Sequence, residues 1–234
     1  VPLDSGLIRP ELPGQVCLSP SATADQAGFL VAFTAYDTLA DDENVCCVRI
    51  SPDGVVLDSG IFLPLGAGEQ FDPSGASDGT DFLAAWFETQ GEGHAVSAAR
   101  IRADGTVLDT LGFLVNGSSG NKYYLSTAFG DSVYLVAWAD YRSGVGADIY
   151  CARVGLDGRV LDPDGIVVCD SMWSQVVPDI GFDGQNFLVV WQDYRTQRFD
   201  NIYAARVSPA GVVLDPGGFA VAADAAGAAR VTNL

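Results

Sequence analysis

The sequence predicts an all-β fold of the β-propeller type. Three observations predict it: a pattern written four times along the chain, short strand-like runs inside each copy, and turn residues between those runs at fixed places. The segments FLVAF (29–33), FLAAW (82–86), YLVAWAD (134–140) and FLVVWQD (187–193) align, which puts Phe33, Trp86, Trp138 and Trp191 in one column. Trp86, Trp138 and Trp191 stand 52 and 53 residues apart. Downstream come CCVRISPDGVVLD (46–58), SAARIRADGTVLD (97–109), YCARVGLDGRVLD (150–162) and YAARVSPAGVVLD (203–215). Arg49, Arg100, Arg153 and Arg206 therefore form a second column, and Asp58, Asp109, Asp162 and Asp215 a third.

Each unit reads as four strands, labelled a to d. Its apolar runs are β-branched or aromatic, too short for helices, and bounded by Gly, Pro, Asp and Ser. Asp53-Gly54, Asp104-Gly105 and Asp157-Gly158 supply the positive φ of a tight turn after strand c, while Ala210-Gly211 keeps only the glycine. Four strands at this period match a propeller blade, because a sandwich does not repeat its sequence from one strand set to the next. Complete repeats fall at 16–63, 71–115, 123–168 and 176–222. Residues 1–10 (VPLDSGLIRP) read as a d strand and 228–234 as the start of an a strand. The expectation is a single propeller domain over 1–234, with four complete blades of about 52 residues and a split, partial fifth. A chain that starts at Val1 reads as a processed or excised piece, its fifth blade completed from outside the chain or by another copy of it.

The motif FLVxWxDxR followed by IYAARVxxDGxVLDxxG resembles that of secreted bacterial β-propeller repeat proteins, over nearly all of the chain and most closely in residues 123–222. The resemblance implies the fold and an extracellular or cell-surface setting. It implies no reaction, since that family is functionally mixed. Repeats one and two depart from the motif, with Tyr36-Asp37 and Glu88-Thr89 where Asp-Tyr-Arg stands later.

Composition excludes several partners. Thirty acidic residues against twelve basic ones give a formal charge of −18, which repels phosphate backbones and anionic lipid, so nucleic acid is not expected as a partner. No run of eighteen apolar residues occurs, and membrane insertion is not expected. His94 is the single histidine, read as solvent-exposed, so the chain alone builds no His-dependent triad or multi-histidine metal site. Cys17, Cys46, Cys47, Cys151 and Cys169 show no metal spacing, and Cys151–Cys169 is a candidate disulfide within one blade.

A residue that recurs in every blade is most simply a packing residue. The Trp column is read as core, the Arg and Asp columns as polar ties between strands or blades, and Asp140-Tyr141-Arg142 and Asp193-Tyr194-Arg195 as ion pairs capping a loop. The variable b–c loops (37–44, 88–95, 140–147, 193–200) and d–a connections (10–16, 64–70, 115–122, 169–175) emerge on one face, which is the expected binding surface. On it Trp173, with Met172 beside it, has no aromatic counterpart in the other connections; Tyr123, Tyr124, Arg198 and Phe199 are further contact candidates. Asp37, Asp41, Asp42 and Glu43 crowd one loop and form a weak calcium candidate, although the spacing fits no EF-hand; no other cofactor is indicated. No acidic pair stands out as unique.

These readings favour a non-catalytic, extracellular scaffold or binding module rather than an enzyme, acting through its loop face on protein partners or on copies of itself by strand complementation of the incomplete blade. The alternatives are a carbohydrate-binding lectin or five-bladed glycosidase, supported by Trp173 and the acidic surplus, and a calcium-dependent adhesion module.

Overall fold

A computed structural model describes residues 15–64, 68–196 and 201–223. The expected strands at 1–10 and 228–234, and the contact candidates Arg198 and Phe199, lie outside the described residues. The described chain forms sixteen strands in four antiparallel sheets. Blade 1 holds β1 (Gln15–Ala24), β2 (Phe29–Asp37), β3 (Asp42–Ile50) and β4 (Ile61–Phe62). Blade 2 holds β5 (Gln70–Ser77), β6 (Asp81–Gln90), β7 (Gly93–Arg102) and β8 (Phe113–Asn116). Blade 3 holds β9 (Lys122–Gly130), β10 (Val133–Asp140), β11 (Asp148–Gly155) and β12 (Ile166–Cys169). Blade 4 holds β13 (Gln175–Phe182), β14 (Phe187–Asp193), β15 (Asn201–Val207) and β16 (Phe219–Ala222). In every sheet the strands lie in chain order, and the first strands β1, β5, β9 and β13 pack side by side in succession, so the propeller class that the repeat predicts is the fold. This order brings the b–c loops and the d–a connections to the same face.

The core sits between blades. Trp86 packs with Leu30, Ala32 and Val45 of blade 1, Trp138 with Leu83, Ala85 and Val96 of blade 2, and Trp191 with Leu135, Ala137 and Ile149 of blade 3. Each tryptophan is thus driven into the sheet before its own, and all three are buried. Phe33, their counterpart in blade 1, has no preceding blade among the described residues and is only half-buried, with Phe29 two turns of the pleat away 45% exposed.

The indole nitrogens explain a second repeated residue. The Trp138 Nε1–H donates to Asp140 Oδ2 at 2.8 Å and the Trp191 Nε1–H to Asp193 Oδ2 at 2.8 Å. In blade 2 Glu88 stands at that place and accepts from Ser97 Oγ instead, which leaves Trp86 Nε1 buried without a partner. Arg142 completes the first carboxylate at 2.6 Å and lies 4.0 Å over the Tyr150 ring; Arg195 does the same with Asp193 at 2.7 Å and Tyr203 at 3.9 Å. Burial alone raises the Asp140 carboxyl, but the bonds from Arg142 and Trp138 and the nearby Lys122 charge hold it below the usual aspartate range.

The Arg and Asp columns tie one blade to the next. Arg49, Arg100 and Arg153 each grip the Asp of their own blade with two guanidinium nitrogens, then donate from Nη1 to a carbonyl in the following blade, at Ala103, Leu156 and Pro209 respectively. The turn glycine of that following blade is where the guanidinium fits. A Cβ on Gly158 meets Arg100 at 3.0 Å, and one on Gly211 meets Arg153 at 2.7 Å, which is why Ala210-Gly211 keeps the glycine after losing the aspartate. The two ends of the array lack this contact among the described residues. Arg206 grips Asp215 but reaches no further turn, and nothing stands within 4 Å of a Cβ on Gly54. Among the described residues blade 4 therefore makes no such contact with blade 1.

All five cysteines are free thiols, which corrects the Cys151–Cys169 disulfide. Cys151 lies opposite Ile166 in the ladder, and Cys169 pairs with Ile149 two positions further on, its sulfur 3.3 Å from Arg195 Nη2. Side chains two rungs apart on neighbouring strands do not reach one disulfide length. Burial raises the Cys151 and Cys169 thiols above the ordinary range, so both are packing residues.

Two stability measurements check this account by urea denaturation. Trp138→Phe costs about 1–2 kcal/mol more than Trp86→Phe, because only the former takes a donor away from a buried carboxylate. Arg153→Ala lowers the unfolding free energy by about 2 kcal/mol, and Arg206→Ala lowers it by clearly less.

Candidate functional site

The loop face carries two adjoining clefts that share Trp173. The first, of about 550 Å³, is lined by Tyr124, Tyr141, Trp173 and Tyr194 over a floor of Ser174 and Val176. The second, of about 600 Å³, is lined by Ser143, Asp148, Tyr150, Asp170 and Met172 together with the same Trp173. Trp173 is 48% exposed, Tyr124 47% and Met172 75%.

Local backbone geometry explains why these rings face outward. Each first strand has a β-bulge at the same place, with Ser19, Asp72, Tyr124 and Val177 held at φ of 49°, 48°, 61° and 55°. Proline follows the bulge in three blades, at Pro20, Pro73 and Pro178, and only blade 3 combines a tyrosine with Leu125. Trp173 is at φ 69°, alone among the described residues of the d–a connections that are not glycine. A bulky side chain at positive φ is strained, and such strain concentrates where a chain holds a group for use.

The strained connection is pinned on both sides. The Gln175 N–H donates to Ala147 O at 2.7 Å, the Ala147 N–H to Ser174 Oγ at 3.3 Å and the Tyr194 N–H to Ser174 O at 3.0 Å. Gly146 passes so near the Trp173 backbone that a Cβ there would lie 3.2 Å from its carbonyl. Beneath the first cleft Ala139, Ala147 and Val176 form a small apolar cluster against which Tyr141 and Tyr194 rest.

The second cleft is acidic. Asp148 opens β11 opposite Asp140 and is 8% exposed, while Asp170 lies in the solvent-facing connection. Burial, together with the charges of Asp170 and Asp140, raises the Asp148 carboxyl above the usual aspartate range; a hydrogen bond with Ser143 and the Arg142 charge work against this. The cleft thus pairs a carboxyl that keeps its proton to higher pH with an exposed carboxylate, beside an aromatic wall.

Sequence reasoning found part of this site. Trp173, Met172 and Tyr124 do line it, and Tyr123 stands directly behind, 6.3 Å from the Tyr124 ring. It missed Tyr141, Tyr194, Tyr150 and Asp148. The two loop tyrosines sit inside the repeated Asp-Tyr-Arg, whose Asp and Arg are structural as expected while the residue between them faces the cleft. Asp148 had a signal, since its column holds Asn44, Ala95 and Asn201 in the other blades. Asp148 and Asp170 line one cleft, so an acidic pair does stand out where the sequence shows none.

His94 is not simply exposed either. It is half-buried among Phe71, Phe87 and Tyr123, and its Nδ1 lies 3.0 Å from Lys122 O. In the acidic loop of blade 1, Asp37 Oδ1 accepts the Leu39 and Ala40 N–H groups, Asp41 accepts the Tyr36 hydroxyl at 2.6 Å, Asp42 accepts Asn44 Nδ2, and burial with the charges of Glu69, Asp72 and Asp42 raises the Glu43 carboxyl. Among the described residues no group of three or more Asp, Glu, His or Cys is placed to hold a metal ion.

Fold and site together describe a β-propeller with an aromatic and acidic cleft on its loop face. No family model and no curated protein matches the sequence. Solved structures do match the fold. An endo-arabinase from Bacteroides thetaiotaomicron superposes with a TM-score of 0.58 at 12% identity, over 89% of this chain and 81% of its own. The catalytic domain of a family-62 α-L-arabinofuranosidase from Coprinopsis cinerea gives 0.50 at 13% identity, over 87% and 68%. The hemagglutinin-neuraminidase ectodomain of parainfluenza virus 5 gives 0.58 at 8% identity, over 90% of this chain but only 57% of that one. At these identities the likeness shows the fold. It also corrects the expectation of a non-catalytic scaffold or self-assembling module that is not an enzyme, because catalytic glycoside hydrolase domains recur among the chains that share this architecture.

Replacing Asp148 tests the acidic cleft. A folded carboxyl raised above its unfolded value binds more protons than the unfolded chain between the two values, so its cost to stability grows as pH rises through that window. Asp148→Asn, with the residue that Asn44 and Asn201 place in this column, melts above the wild type at pH 7. The difference disappears below about pH 3, where both states carry the proton.

Proposed function

We propose that this protein is carbohydrate-active, with a glycan seated in the paired clefts around Trp173 and glycoside cleavage as the reaction that the acidic cleft serves. Its setting is extracellular, as the resemblance to secreted propeller repeats implies. The observation that carries the reading is the half-exposed Trp173 indole, held at φ 69° and lining both a cleft of tyrosines and a cleft with two carboxyl groups.

A sugar ring has apolar C–H faces and a rim of hydroxyls. It therefore suits a wall of aromatic faces with a few polar groups placed around it. Trp173, Tyr124, Tyr141 and Tyr194 supply the faces; Asp148, Asp170 and Ser143 supply the polar groups. Glycoside cleavage needs one carboxyl that donates a proton to the leaving oxygen and one carboxylate on the other side of the bond. Asp148 has the environment of the donor, and Asp170 is the open carboxylate beside it. The formal charge of −18 favours a neutral glycan over a polyphosphate. Support also comes from the activities in the names of the matching structures, an endo-arabinase and an α-L-arabinofuranosidase among them.

The test is a glycan array that includes arabinan and xyloglucan, followed by an assay for newly released reducing ends. Wild-type protein retains a glycan, and Trp173→Ala weakens that binding by about ten-fold or more. Asp148→Asn retains the glycan and releases fewer reducing ends. An array with no retained glycan, together with no release of reducing ends, overturns the reading.

A further inference from the structure

A row of half-buried aromatic rings continues past the paired clefts. Behind Tyr124 the Tyr123 ring meets Tyr141 edge-on at 5.7 Å, His94 meets Tyr123 edge-on at 5.1 Å, and Phe71 meets His94 edge-on at 4.9 Å. The ring contacts run from blade 3 into blade 2. At the far end of the row lies a third depression, of about 290 Å³, bordered by His94, Gln90, Glu92, Ser118 and Ser119. Gln90 and Glu92 are exposed at the tip of the β6–β7 hairpin.

This far end is fastened to the Trp173 side by an unrepeated residue. Where Gln70 and Gln175 begin the first strands of blades 2 and 4, blade 3 begins with Lys122, which is fully buried. Its Nζ donates to His94 O at 2.9 Å and to Ser118 O at 2.6 Å, and lies 4.0 Å from Asp140. One ammonium group therefore joins the hairpin that carries His94, the connection that carries Ser118, and the strand that carries Tyr123 and Tyr124. A buried lysine with such partners is a costly arrangement, and it fixes the spacing between the third depression and the aromatic row.

We infer that the ligand of the Trp173 site is a run of several sugar residues of a polysaccharide, laid along this row from the paired clefts to the depression at His94, and not a mono- or disaccharide. The inference rests on the carbohydrate reading above. A single sugar is accommodated by one cleft beside Trp173. Three polar-rimmed depressions set along a row of half-buried aromatic rings match a ligand that repeats its own pattern of apolar faces and hydroxyls.

Titration calorimetry with arabino- and cello-oligosaccharides, from disaccharide to octasaccharide, tests the length of the site. Wild-type affinity for one series rises by about ten-fold or more from di- to hexasaccharide. The double variant Gln90→Ala/Glu92→Ala changes two exposed hairpin residues and leaves the core intact. It weakens hexasaccharide binding by about three-fold or more and leaves the disaccharide unchanged, whereas Trp173→Ala weakens both. Affinity that is flat with length, or a length dependence that the double variant does not alter, overturns the extended site while the Trp173 reading stands. No binding by any member of either series, in wild type and Trp173→Ala alike, overturns both.

Discussion

The geometry of the array rests on how far the guanidinium group of one blade reaches into the next. Arg49, Arg100 and Arg153 each satisfy their own aspartate and still have one nitrogen for a carbonyl of the following turn. A lysine has one charged nitrogen on a flexible stem and cannot hold both partners in a fixed fork. The bond sets the spacing between neighbouring sheets at the turn face, and the interlocked tryptophans fill the space that this spacing leaves. With two constraints acting at different depths, each sheet is fixed in tilt as well as in distance, and the loop face inherits a rigid base.

That rigidity is what allows strained groups to be kept at the other face. Tyr124 and Trp173 are held at backbone angles that bulky residues avoid; the bulge of β9 sets the first, and the bonds around Ser174 and Ala147 maintain the second. The bulge beneath Tyr124 is common to all four blades, so the scaffold supplies the unusual backbone everywhere and the chain uses it for an exposed ring in one place. Asp148 follows the same logic: the ladder position is ordinary, and only the side chain is out of pattern.

The fold was legible because its constraints recur. The Trp, Arg and turn-glycine columns appear in the same order in every repeat, and each has one packing role that periodicity can reveal. Trp173 was legible for the opposite reason, as an aromatic residue with no counterpart. Tyr141 and Tyr194 were not, because they lie inside a motif whose other two members are structural, and a sequence does not say which member of a motif faces out. The Asp148–Asp170 pairing depends on a loop and a connection meeting in space, and neither segment carries a trace of the other. The Cys151–Cys169 proposal failed on a two-rung offset that only the register of β11 against β12 shows.

What one arginine recognises in the neighbouring sheet is main chain: a carbonyl oxygen, and the absence of a side chain at a turn glycine. Nothing in that contact depends on which blade comes next. A copy of any repeat inserted by gene duplication would find its docking partner already in place on both sides. The joint is therefore the same between each pair of successive blades it ties, and the outward-facing residues differ around it without altering it.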